Sequence, residues 1–167
     1  TELIDKIVGF NAHAIVKPYN NSIDLESYKA SNFLQKNVSL TIFSNDGEAV
    51  ILNKNNTKGV LLKGYSNKDF INLEIAKNNE FYGNKELIEN TISIGKELSF
   101  NLNLDLGDSV TLMSPSGVQT IVGTLPKQKS FKVTSIFDSG LANFNENVAY
   151  INLNTLESFF DKRSELR

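Results

Sequence analysis

The chain has 167 residues, 40% of them hydrophobic, a formal net charge of −2, one His and no Cys. That length fits one domain or two small lobes with a packed core. The weak charge argues against nucleic acid as the main partner, and the lack of Cys removes disulfides, thiolate nucleophiles and Cys-based metal sites. No apolar run approaches the roughly 18–20 residues of a membrane helix. The chain opens with neither Met nor a charged and apolar leader, which reads as a segment of a longer protein.

Leu3, Ile4, Ile7 and Val8 form a narrow apolar stripe at helical spacing, broken by Gly9. Ala12–Val16 reads as a strand stopped by Pro18. Asp24 caps a predicted helix ending near Gln35, with Leu25, Tyr28 and Phe33 facing inward. Val38–Ser44 alternates apolar and polar, as a half-buried strand does. Asn45-Asp46-Gly47 then predicts a hairpin turn, with Glu48–Leu52 returning. Gly59–Tyr65 is another strand, and Asn67–Asn72 a helical turn.

The composition turns polar over Asn78–Lys85, and a lobe boundary is expected there, dividing 1–82 from 83–167. Beyond it, Ile92–Ile94 reads as a short strand and Gly95–Leu102 as a helix burying Leu98 and Leu102. Leu106-Gly107-Asp108 is a turn feeding strand Ser109–Ser114. Lys129–Asp138 and Asn147–Asn152 are further strands. Asn154 is expected to cap a last helix, with Glu157 as its reciprocal partner and Leu156, Phe159 and Phe160 buried. Strands mixed irregularly with short helices indicate an α+β fold of two small sheet-plus-helix lobes rather than a doubly wound parallel sheet.

Catalytic parts are scarce. His13 lies between Ala12 and Ala14 and reads as structural; a hydrolase would need a nucleophile and an orienting carboxylate. No Gly-x-Ser-x-Gly elbow is present, and a zinc site is short of ligands. Asp105 and Asp108 read as a turn, since Ca²⁺ binding would need alternating acidic positions closed by a Glu. Gly117 to Gly123 is no phosphate loop, because no Gly-Lys-Ser/Thr follows. No catalytic residue, cofactor or metal is therefore assigned. The stretch Pro115–Pro126 differs. It joins two strands that should pair as a hairpin, whose loops normally have 2–5 residues. Its middle carries Val118, Ile121, Val122 and Leu125 and no charge. Such a loop either folds onto its own core or presents an apolar surface to a partner.

The order strand, short helix, Gly-Asp turn, strand, long proline-bracketed loop, strand, strand over Ile92–Phe160 resembles the periplasmic domain of lipoprotein-releasing ABC transporter permeases, the LolC/LolE family. Ile7-Val8-Gly9-Phe10-Asn11 is similar to the segment after that family's first membrane helix. Leu-x-x-Gly-Asp-x-Val is shared more widely with MacB-type permeases. The resemblance implies a non-catalytic inner-membrane protein domain exposed to the periplasm, with a porter-like first lobe, incomplete at its C-terminal end, and a sabre-like second lobe. It implies a protruding β-hairpin hook at Pro115, Ser116, Gly117, Val118, Gln119, Thr120, Ile121, Val122, Gly123, Thr124, Leu125 and Pro126 that captures the lipoprotein chaperone LolA. A basic pad matches Gln128 and Lys129, with Lys where the family usually has Arg; a further pad Arg aligns with Thr111. Implied partners are LolA, a second permease subunit, a cytoplasmic ATP-binding subunit and the lipoprotein substrate, with no nucleic acid. The alternatives are a MacB-like efflux permease domain and a secreted hydrolase or binding module.

Overall fold

The computed structural model describes residues 44–160, with backbone alone at 115–120 and 124–126. The expectations for Thr1–Val8, His13, Ala12–Val16, the helix from Asp24 and most of strand Val38–Ser44 lie outside the described residues.

Strands β1 (Ser44–Asn53) and β2 (Asn56–Tyr65) form an unbroken hairpin from Ser44↔Tyr65 to Asn53↔Asn56. β2 pairs with β7 (Val148–Asn152), β7 with β4 (Thr91–Gly95), β4 with β6 (Gly123–Phe137), and β6 with β5 (Ser109–Thr120). β5 then returns to β1, placing Leu112 opposite Ile51, so that six of the seven strands close into a ring. The short β3 (Tyr82–Gly83) adds to β6 beyond the start of β5.

Alternation along the strands fills the ring. Ile51, Leu62, Ile94, Leu112, Val133 and Ile151 are fully buried there, each worth about 1.5–3 kcal/mol of burial. Helix α3 (Lys96–Leu102) follows β4 and helix α5 (Leu153–Phe160) follows β7. Because β4 and β7 are antiparallel, the two helices sit at opposite ends of the ring. They add Leu98 and Leu102 at one end, and Leu156 and Phe159 at the other.

A second cluster lies outside the ring. Helical turns α1 (Asn67–Phe70) and α2 (Glu74–Lys77) bring Phe70 and Ile75 to Tyr150, whose ring lies 5.4 Å from Phe70 and 5.2 Å from Phe137. A bulge makes this possible. Ile92↔Val133 is followed by Ser93↔Ser135, leaving Thr134 as an extra residue on β6. The alternation flips there, so Val133 points into the ring and Phe137 out of it.

The α+β class holds, but the boundary at 82/83 does not follow the sheet. The ring closes only through the β1–β2 hairpin, which fills the place between β7 and β5. Asn78–Lys85 instead carries β3 on the surface of the same sheet. The turn expected at Asn45-Asp46-Gly47 is strand interior; the chain reverses at Lys54-Asn55, with Lys54 at φ 57°. The Phe160 ring occupies the space above Gly47, within 2.7–3.0 Å of where a Cβ would stand. Asn154 lies inside α5, and the cap is Asn152, whose Oδ1 accepts from the Asn154 N–H at 3.0 Å. Helix α4 (Ala142–Asn147) has no counterpart in the sequence expectations.

Candidate functional site: a projecting arm and the groove at its base

Pairing from Ser109↔Lys132 to Ser114↔Lys127 belongs to the ring wall. It resumes at Val118↔Leu125 and continues through Gln119↔Thr124 to Thr120↔Gly123. Between these stretches, Pro115, Ser116 and Gly117 on β5 stand opposite Pro126 on β6. Proline has no N–H to offer a ladder, and such residues concentrate at bulges. The proline-bracketed stretch is thus a two-stranded arm with an irregular root and a tip of Ile121 and Val122. β5 meets β1 no further than Met113, so beyond that level, among the described residues, the two arm strands pair only with each other.

Ile121 is fully exposed and Val122 is 81% exposed. Of the two fates open to the apolar stretch, exposure is the one these side chains adopt. Gly123 follows with φ +122°, a value L side chains rarely adopt. The β-branched run around Thr120, Ile121, Val122 and Thr124 carries the strand preference that a reading based on loop length overlooks.

The base is held by a lysine. Lys127 Nζ donates to the Ser158 carbonyl at 3.0 Å. Ser158 lies in the last turn of α5, where unpaired carbonyls and the helix dipole favour a cation. Beside this bond runs a shallow groove of about 680 Å³, walled by Ile88, Glu89, Gln128, Lys129, Thr155 and Phe159. Gln128 is exposed and Lys129 half-buried. Thr111, half-buried on the opposite face from Leu112, pairs with Ser130 in mid-wall. The α5 side of the groove and the Ile88–Glu89 segment were not foreseen from the sequence; both come to β6 through the ring.

The most organised polar cluster lies at the other end of β6. Asn145 is 1% exposed. Its Nδ2 donates to Glu97 Oε1 at 2.7 Å and Asp138 Oδ1 at 2.9 Å; its Oδ1 accepts from the Ser139 N–H at 2.8 Å and hydroxyl at 2.6 Å. The Gly140 N–H, helped by Asn145 and the nearby Lys96 ammonium, holds the Asp138 carboxyl below its usual range. These contacts organise a turn. Asp105 and Asp108 do likewise, with Asp108 Oδ2 accepting from the Asp105 N–H at 2.9 Å. Among the described residues no group of three or more His, Cys, Asp or Glu side chains converges, and no helix is long and apolar enough to cross a membrane.

No protein-family model matches the chain. It is 35% identical over 69 residues to the lipoprotein-releasing system transmembrane protein LolC from two strains of Xylella fastidiosa. That stretch spans 41% of this chain and 17% of the relatives' length. The extracellular domain of the noncanonic ABC-type transporter YknZ from Gram-positive bacteria shares the fold, with a TM-score of 0.50 at 14% identity, covering 83% of this chain and 65% of that one. In sequence and in fold, the chain resembles the periplasmic domain of an ABC transporter permease.

Proposed function

We propose that this chain is the periplasmic domain, between the first and second membrane helices, of a lipoprotein-releasing ABC permease, and that its arm receives the chaperone LolA. The domain catalyses nothing itself. ATP is hydrolysed by a separate cytoplasmic subunit, and a second permease subunit completes the transporter in the inner membrane. Within this reading, Ser44–Phe160 forms the sabre-like lobe. The observation that carries it is the tip: two adjacent large aliphatic side chains, both exposed, at the end of a two-stranded arm. Apolar groups held in water at such a place are suited to burial against a partner.

The test is a paired measurement on the double variant Ile121→Asp, Val122→Asp. Pull-down of LolA should be lost while the melting temperature stays near wild type, because neither side chain packs in the core. A large drop in melting temperature would make the tip part of the core. Unchanged pull-down would remove the chaperone assignment. A MacB-like efflux permease domain would show no binding of LolA with either protein.

A further inference from the structure

The groove at the root of the arm has a strand edge as one wall. On β6, the Val133 N–H donates to the Asp108 carbonyl at 2.8 Å, on the β5 side. The Lys132 N–H donates to the Asn90 carbonyl at 2.9 Å, on the β4 side. Residues two apart along a strand point their backbone groups the same way. Ser130 and Gln128 therefore turn their N–H and C=O groups toward the β4 side as well. β4 begins only at Thr91, opposite Lys132. Among the described residues no hydrogen bond reaches this row above Lys132. Pro126, the next position in the same phase, has no N–H and ends the row.

We propose that this edge accepts an extended segment of the chaperone as an added strand, lying end to end with β4 in the groove between β6 and α5. Unpaired backbone donors and acceptors in a groove are the recognition chemistry of strand addition. Lys127 and Lys129 against the single carboxylate of Glu89 make the walls net positive, so the incoming segment carries acidic side chains. The identity of the partner rests on the chaperone reading above; the edge itself does not.

Proline substitution separates backbone from side chain. Ser130→Pro removes an outward N–H that the β5 ladder does not use, whereas Ser130→Ala keeps it. In a LolA titration of the intact domain, Ser130→Pro should weaken binding at least tenfold and Ser130→Ala by less than about twofold. Gln128→Pro serves if Ser130→Pro does not fold. Addition of LolA to wild type should slow hydrogen exchange at Gln128 and Ser130 more than at Lys129. Wild-type affinity in a folded proline variant, with the tip variant inactive, overturns the edge and leaves the tip. An inactive proline variant with a fully active tip variant supports the edge and overturns the tip. No binding of LolA to wild type overturns both. Slow exchange at both amides in a self-associated domain without LolA assigns the edge to a second copy of this chain and overturns the proposal.

Discussion

The Asn145 backbone lies directly against Gly95, where β4 passes into α3, so closely that a Cβ at Gly95 would overlap the Asn145 carbonyl. The Asn145 side chain then ties Glu97 of α3 to Asp138 at the end of β6. One contact thus brings a strand end, a helix start and α4 together at the end of the ring opposite the arm.

Gly95→Ala should be costly. The clash is with backbone, which has nowhere to withdraw, so a loss of about 3 kcal/mol or more is expected. Gly59 has nothing within 4 Å of its Cβ position, and Gly59→Ala should change stability by about 0.5 kcal/mol or less. Urea denaturation of the two variants makes the comparison; similar midpoints would contradict the packing at Gly95.

Asp138 should impose a pH dependence. Its folded-state pKa is lowered, chiefly by the Gly140 N–H. Its contribution is therefore complete above the unfolded carboxyl value of about 3.9 and disappears as pH falls through the lower folded value. Asp138→Asn should cost about 1 kcal/mol at pH 7, a modest figure because the site is partly solvated. The gap to wild type should narrow below about pH 4. Unfolding curves at neutral and acid pH test this, and a gap independent of pH would refute it.

Lys127 and Lys129 should behave differently. Lys127→Met keeps the aliphatic stem but removes the bond to the Ser158 carbonyl, for a loss of about 1 kcal/mol and faster amide exchange in the last turn of α5. Lys129→Met should leave stability within about 0.5 kcal/mol and reduce the salt dependence of chaperone association. Equal stability losses would show that Lys127 has no special anchoring role.

Gly123→Val should disturb the arm alone. A β-branched residue is strained at φ +122°, so the closing pair Thr120↔Gly123 should open. The global melting temperature should move little, since among the described residues the arm strands pair only with each other beyond Met113. Exchange at arm amides should accelerate and LolA affinity should fall. A large drop in melting temperature would mean that the arm supports the ring.

Local patterns revealed much of this architecture. Strand-like runs marked β2, β4, β7 and the wall portions of β5 and β6, and the expected burial of Leu98 and Leu102 marked α3. What escaped depends on distant contacts. Asn-Asp-Gly at 45–47 has strong turn chemistry, yet pairing along all of β1 overrides it. A polar stretch at Asn78–Lys85 resembles a linker, but only ring closure shows that the strands on either side share one sheet. The candidate tip was legible because apolar residues without charge between two prolines need an explanation. The resemblance implied a hairpin there, but its register was not legible, because the irregular root at Pro115–Gly117 hides it. The groove was invisible, since its walls, from Ile88 to Phe159, lie about seventy positions apart in sequence.

The last turn of α5 touches two places at once: the Phe160 ring lies over Gly47 of β1, and the Ser158 carbonyl accepts from Lys127 at the foot of the arm. A force on the arm therefore has a stiff route into β1 through a single helical turn, independent of the irregular ladder at Pro115–Gly117.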